Sequence, residues 1–237
     1  MQRAGFTALR RSGAALLVVS MTWTARSAAQ TSTGPLDANA LPAPLAPTRF
    51  SALEASEPSE TGSLAAFARL SHLARPLALR LPSPSPGGTS TSAIEGILLL
   101  EVGASFGLGA GFDVALGAGL HAYQWGGGTS AVTGGERLAP VAGTDPRLSL
   151  GYATELGPVQ VRPYGTLCIP LGDDEQFAGE GFVRGEFGAS SSIELGRLTL
   201  GLDVALRLRR DTEIGLSTLG PTLRVGAGGL VEVIEHF

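Results

Sequence analysis

Lysine is absent from this 237-residue sequence, cysteine occurs once, and charged residues make up only 16% of the chain. The single Cys168 excludes an intrachain disulfide. Four of the 17 arginines precede residue 30, so a chain cleaved there keeps 13 basic against 21 acidic residues, a net charge of −8. Such a chain lacks the clustered cations that a nucleic-acid backbone requires, and we expect no nucleic-acid partner.

Motifs for catalysis and metal binding are also scarce. The three histidines, His72, His121 and His236, are isolated and show no ligand spacing. Cys168 has no histidine partner that would make it a nucleophile. The acidic run Asp173-Asp174-Glu175, together with Glu180, does not have the spacing of an EF-hand calcium site and is better explained as a solvated loop. We therefore predict that the chain is not an enzyme and holds no metal or cofactor.

The first 29 residues have the features of a secretory signal. Arg3, Arg10 and Arg11 precede a short apolar core at 12–23, and Ser27-Ala28-Ala29 forms a small-residue cleavage site. The core is too short for the alternative, an uncleaved anchor helix. Residues 30–62 are rich in Pro, Ser, Ala and Thr without periodicity, which predicts a disordered leader on the exported side.

Strict alternation dominates the rest of the chain. From Leu198 to Arg209 the even positions are Leu or Val and the odd positions are polar, charged or small, and the run from Val183 to Leu195 also alternates. A period of two held for this long is typical of β-strands with one apolar and one polar face. Eight such strands are predicted, at 64–81, 94–106, 112–125, 147–156, 159–169, 183–195, 198–209 and 221–237. In the second strand Ile94 shares the apolar face with Leu98 and Leu100, and in the fifth Tyr164 shares the polar face with Arg162.

The connections between these strands differ in length. Those near 107–111, 157–158 and 195–197 are short, whereas those near 82–93, 126–145, 170–180 and 210–220 are long and polar. Strands of about ten residues with short turns at one end and long loops at the other are typical of outer-membrane β-barrels. We predict an all-β fold in which residues 63–237 form an antiparallel up-and-down transmembrane β-barrel of about eight strands, with both chain ends at the short-turn end.

Alternation does not reveal which face is inside. In a membrane barrel the Leu/Val face contacts lipid and the charged face fills the interior, which in eight strands has room only for side chains. The alternative is an exported soluble β-barrel that binds a small apolar ligand in an apolar interior. Under the membrane interpretation the inward set forms a polar network of paired charges. Its members are Glu101, Asp113, His121, Arg147, Glu155, Arg162, Arg184, Glu186, Glu194, Asp203, Arg207, Arg209, Arg224 and Glu232.

Several short motifs resemble a known family. They are Asp145-Pro146-Arg147-Leu148, Ile169-Pro170-Leu171-Gly172-Asp173-Asp174, Phe177-Ala178-Gly179-Glu180-Gly181, Arg75-Pro76-Leu77 and the final aromatic Phe237. Together they resemble the porin-like barrel region that precedes the peptidoglycan-binding domain of large OmpA-like proteins. Glu235 departs from the usual terminal pattern, in which an apolar or aromatic residue occupies that place.

The resemblance implies a location and partners. It implies a bacterial outer-membrane barrel with a transporter-like or structural role, contacts with the lipid bilayer, and Phe237 as the terminal signal for the barrel-assembly machinery. The sequence ends where the family's periplasmic domain would begin, so cell-wall binding is not expected. We therefore expect a structural or limited-permeability role, with no solute or oligomeric state specified.

Overall fold

The computed structural model describes residues 38, 42–46, 48, 53–57, 59–81, 89–128, 137–214 and 217–231. The predicted signal peptide, the leader residues before Ala38, Glu232 and the terminal Phe237 lie outside these ranges. Within them the protein is all β. The described residues include no helix with the length and apolar character needed to cross a membrane.

Eight long strands follow one another in an antiparallel up-and-down sheet, and four short strands accompany them. The long strands are β1 (Leu64–Leu81), β2 (Thr89–Gly109), β3 (Phe112–Trp125), β5 (Arg147–Tyr152), β7 (Val159–Cys168), β8 (Arg184–Leu195), β9 (Leu198–Leu208) and β12 (Thr222–Val231). The short strands are β4 (Ala142–Gly143), β6 (Thr154–Leu156), β10 (Thr212–Ile214) and β11 (Ser217–Leu219). The prediction of an antiparallel all-β fold is confirmed.

Tight turns lie at one end of the sheet, which we call the short-turn end. Gly157 (φ 63°) joins β6 to β7, and Gly196 (φ 65°) joins β8 to β9. Both adopt the left-handed backbone conformation that glycine tolerates without steric cost and that tight hairpins require. The opposite end carries the connections after β3, β7 and β9, and we call it the long-loop end.

The curled sheet has two different faces. Along β9, Leu200, Leu202, Val204, Leu206 and Leu208 are exposed, whereas Gly201, Asp203 and Ala205 are buried. The same alternation places Leu148 and Leu150 of β5 and Leu223 and Val225 of β12 on the exposed side. The convex face is therefore apolar and exposed, and the concave face carries the charged side chains.

Strand β2 departs from the predicted pattern at its beginning. It starts at Thr89 rather than Ile94, and its pairing with β3 shifts register between Leu98 and Leu99. Ile94 was assigned to the outward face, but it is fully buried with Ile97, Leu99 and Phe177. The register shift reorients the strand, so its first half contributes apolar side chains to a small core at the long-loop end.

Two further differences concern continuity. The predicted fourth strand, 147–156, is interrupted at Ala153, whose N–H donates to the Gly111 carbonyl, so that it forms β5 and β6. The predicted closed barrel requires β1 to pair with β12. In the ranges that the structure describes, β1 pairs only with β2, and β12 pairs only with β9. The described strands therefore form a curled, barrel-like sheet with two free edges.

Candidate functional site

Most members of the predicted network lie on the concave face. The buried members are Glu101, Asp113, His121, Arg147, Arg162, Arg184, Glu186 and Asp203, and the half-buried ones are Arg207, Arg209 and Arg224. Glu155 and Glu194 lie beside the short turns and are exposed. Glu232 and Phe237 lie outside the described residues.

An ion pair between Arg162 and Asp113 crosses the concave face near the short-turn end. Arg162 Nε donates to Asp113 Oδ2 at 2.9 Å, and Nη2 donates to Oδ1 at 2.6 Å, so the contact is bidentate. Arg162 lies on β7 and Asp113 on β3, with β5 between them. The guanidinium passes directly over Gly151 of β5, where any Cβ would collide with it. A side chain at this position would therefore force the guanidinium to move.

A second cluster surrounds Arg224 of β12. Its Nη2 lies 2.9 Å from Glu186 Oε1, 3.0 Å from Asp203 Oδ2 and 3.0 Å from Tyr164 Oη. Tyr164 Oη in turn donates to Asp203 Oδ1 at 3.0 Å. Arg207 completes the cluster, because its Nε donates to Glu186 Oε2 at 3.1 Å. Two cations, two carboxylates and the Tyr164 hydroxyl are thus joined across four neighbouring strands, β7, β8, β9 and β12.

The loop between β7 and β8 closes the long-loop end. The carboxylate of Asp145 accepts hydrogen bonds from the backbone N–H groups of Gly172 (2.9 Å) and Glu180 (3.1 Å). Glu180 is fully buried and forms ion pairs with Arg184 and Arg209, the latter at 2.8 Å. The prediction of a solvated acidic loop therefore does not describe residues 176–180, which are buried.

His121 belongs to this closure. Its Nδ1 lies 2.9 Å from Gln124 Oε1, and Gln124 Nε2 donates to the carbonyl oxygens of Ala139 (2.9 Å) and Gln176 (3.3 Å). Within the described ranges, no group of three or more His, Cys, Asp or Glu residues could hold a metal ion. The hydrogen bonds place His121 in a network that joins β3 to the loops.

Glu101 connects the first strands to the middle of the sheet. Arg69 of β1 donates to it from Nε at 3.0 Å and also from Nη2. Arg147 Nη2 of β5 lies 3.3 Å from the other carboxylate oxygen. That same oxygen accepts a 2.8 Å hydrogen bond from the backbone N–H of Ala43, which belongs to the leader. Glu101 therefore holds both the sheet and a segment that precedes it.

The leader lies inside the curl of the sheet. Ala38 N–H donates to the Phe177 carbonyl at the long-loop end, and Arg147 Nη1 donates to the Ala43 carbonyl at 2.9 Å. Ser190 donates to the Ala55 carbonyl, and Ser56 Oγ lies 2.6 Å from Ser192 Oγ. Gly62 N–H then donates to the Gly107 carbonyl at the short-turn end. The described leader positions therefore lead from the long-loop end to the short-turn end before β1 begins. The prediction that both chain ends lie at the short-turn end fits the start of β1 but not the leader.

The predicted disordered leader is thus not what the structure has at its described positions. Ala43, Leu45, Leu53, Glu54 and Ala55 are all buried. The composition rule considers only the apolar surface that a segment can bury by itself. Here the sheet supplies hydrogen-bond partners and space, because Leu45 occupies the position of a Cβ at Gly117 of β3 and Leu53 that at Gly226 of β12.

Glu54 is the buried charge of this part of the leader. Both carboxylate oxygens accept from the backbone N–H of Leu45 at 3.3 Å, and Arg162 Nη1 lies 3.9 Å away. Burial raises the pKa of Glu54, and the positive charges of Arg162, Arg147 and Arg224 oppose that rise. The net direction is upward because desolvation is the largest effect.

Space remains beside the leader. A cavity of about 340 Å³ lies between residues 43–48 and the stretch 65–69 of β1, with Phe67 and Arg69 among its lining residues. It adjoins the free edge of the sheet, since β1 has only β2 as a neighbour among the described strands. The leader therefore does not fill the interior completely.

Sequence reasoning missed several residues of this network. Tyr164 was placed on the polar face but was not counted, because its hydroxyl is uncharged. Arg69 lies in a strand whose alternation is ragged, and Glu54, Asp145 and Glu180 lie in segments without periodicity. A separate signal was overlooked: Ser105 is centred in Gly-Ala-Ser-Phe-Gly at 103–107, the G-x-S-x-G spacing, but this run lies inside β2 and not at a strand-to-helix turn.

Comparisons with family models, curated proteins and solved structures found no match to this chain. The site is therefore interpreted from its own geometry. Its cations and carboxylates are paired with one another, and no nucleophile is placed beside a base among the contacts described above. The arrangement is suited to filling and rigidifying the interior of a curled sheet.

Proposed function

We propose that the protein is a bacterial outer-membrane β-barrel with a structural or limited-permeability role. The observation that carries this proposal is the contrast between the two faces of one sheet. Leu116, Phe187 and Leu202 are 56, 61 and 46% exposed on the convex face, while Asp113 and Asp203 are each 1% exposed on the concave face. Exposed apolar surface of this extent marks a membrane or protein interface, and a lipid-facing exterior is its simplest use.

Two features of the chain support the membrane assignment. The predicted signal peptide would export the protein, and Phe237 would be read by the barrel-assembly machinery. In hydrocarbon an unpaired strand edge costs several kcal/mol for each backbone group. The proposal therefore requires β1 and β12 to find partners in the bilayer, by pairing with each other or with another strand.

The limited permeability follows from the contents of the interior. Ion pairs cross the concave face, the β7–β8 loop lies over its long-loop end, and the leader occupies part of the space between them. The alternative, a soluble barrel that binds an apolar ligand, needs an apolar interior and a polar exterior. The observed burial is the reverse over most of the sheet, so the membrane function is preferred.

Fractionation of cells that express the full chain tests this proposal. We expect the protein in the outer-membrane fraction, extractable only with detergent, with its electrophoretic mobility changing on heating as folded barrels unfold. A chain lacking Phe237 should accumulate unassembled. Recovery of the full chain in the soluble periplasmic fraction without detergent would refute the membrane function.

A further inference from the structure

The leader is held by contacts of a kind that can be exchanged for water. The hydrogen bonds described above join its backbone to side chains of the sheet, at Glu101, Arg147 and Ser190. None of its described residues belongs to a strand of the sheet. Its buried apolar side chains are mostly alanines, together with Leu45 and Leu53. The leader therefore contributes little of the sheet's own stability.

The sheet keeps its ion pairs when the leader is disregarded. Asp113 pairs with Arg162, Glu186 and Asp203 pair with Arg224, and all five side chains belong to strands. Glu101 likewise pairs with Arg69 and Arg147. Removal of the leader would hydrate these charges without leaving them unpartnered, which avoids the large cost of an isolated buried charge.

The concave face also has space shaped for the leader. Glycines stand where Leu45, Leu53 and the Glu60 carbonyl approach the sheet, at Gly117, Gly226 and Gly107. A Cβ at Gly226 would lie 2.6 Å from Leu53 Cδ2, closer than real contacts allow. The concave face, with these small positions on β2, β3 and β12, is the groove in which the leader lies.

From these observations we propose that the leader segment represented by Ala38 and residues 42–46, 48 and 53–57 is a displaceable plug, seated in the groove of the concave face, whose departure opens a charged, water-filled passage. This proposal rests on the proposed outer-membrane function. The ligand of the groove is an alanine-rich peptide with two carboxylates, Glu54 and Glu57, and one cation, Arg49, which the chain itself supplies. The lining of the opened passage carries both cations and carboxylates.

Conductance across planar lipid bilayers tests the plug. The full chain should give no stable steps, and a variant lacking residues 38–57 should give stable steps that a synthetic peptide of residues 38–57 abolishes and a scrambled peptide does not. If the deletion variant inserts with normal heat-modifiable mobility but stays silent, the plug proposal is overturned while the membrane function stands. Conduction by the full chain at the same level also overturns the plug proposal.

Two point variants of the full chain test the plug even if the deletion variant fails to fold. Gly226→Leu fills the space taken by Leu53 and should make the full chain conduct. Gly229→Leu is the matched control on the same strand, because its added side chain lies beside Leu200 on the convex face. Silence of folded Gly226→Leu would overturn the plug proposal. If the full chain does not insert at all, the membrane function is refuted. Binding of the peptide to the deletion variant in detergent solution then tests whether the concave face is a groove for the leader, and absence of binding overturns that claim.

Discussion

The two faces of the sheet use the same strands for opposite purposes. On β9, Leu202 is 46% exposed, and its neighbour Asp203 is 1% exposed with a hydrogen bond from Tyr164. Under the proposed membrane function the convex face needs no specific partner, because apolar side chains next to lipid would be interchangeable. The concave face depends on specific pairs, since each buried charge requires its counterpart. The effect of a substitution should therefore depend on its depth in the bilayer on the convex face, and on which charged partner is lost on the concave face.

Cysteine labelling should give the largest difference between variants, because each site should react either fully or not at all. It tests the direction in which the leader crosses the concave face. In a Cys168→Ser background on intact cells, Thr33→Cys should react with a membrane-impermeant maleimide as fully as Glu175→Cys in the β7–β8 loop. Glu175 should be accessible because outer-membrane barrels place long loops outside. Thr33 is expected to react from the same side because Ala38, five positions later, bonds to Phe177 at the long-loop end. Arg197→Cys, in a short turn, should react only after the cells are opened. Labelling of Thr33→Cys with the pattern of Arg197→Cys would contradict this path.

Breaking a specific pair on the concave face should produce the largest loss of stability. Asp113→Ala leaves Arg162 fully buried without its bidentate partner, with Glu54 at 3.9 Å as the nearest remaining carboxylate. We expect a loss of about 3–5 kcal/mol in the free energy of unfolding, measured by urea titration in detergent. The exposed Glu155→Ala is the control and should change little. Equal midpoints for the two variants would show that the pair is not needed.

The convex face should respond to depth instead. Leu202→Arg places a charge near the middle of β9, where it should destabilise the inserted protein by about 2–4 kcal/mol. Leu208→Arg, at the end of the same strand, should cost only about 0–1 kcal/mol because it lies near the interface. Folding into lipid vesicles measures both variants. If both substitutions have the same effect, the convex face is not in contact with a bilayer.

The smallest effect concerns Glu54 and pH. The pKa of Glu54 is raised in the folded chain, so the folded state binds the carboxyl proton more tightly than the unfolded state does. The stabilisation that this proton gives the folded state is fully present below the ordinary glutamate pKa of about 4.3. It is lost as pH rises through the pKa of the folded state. Glu54→Gln imitates the protonated form. The two proteins should melt alike in acid, and the variant should melt at a higher temperature near neutral pH. The charged groups around Glu54 are Arg162, Arg147, Arg224 and Asp203. A constant difference across pH would contradict this assignment.

Particular residues show how far sequence reasoning reached. The bounds of β1 and β3 were predicted correctly, and those of β7, β8 and β9 to within one residue. Long, regular alternation makes such strands recognisable. Ile94 was assigned to the wrong face, because a register shift between β2 and β3 depends on two strands and leaves no trace in one. Glu180 was assigned to solvent, because a loop sequence does not reveal that its carboxylate will meet Arg184 and Arg209.

The sequence by itself determined where most of the strands run and, apart from the first half of β2, which side chains share a face, because alternation is a property of neighbouring residues and the pleat repeats every two. Only the tertiary structure decided what occupies the concave side. The leader is held there by contacts such as Ser56 with Ser192, which are 136 positions apart. Contacts at that separation depend on how the sheet curls and on which positions are glycine, and no local pattern encodes either.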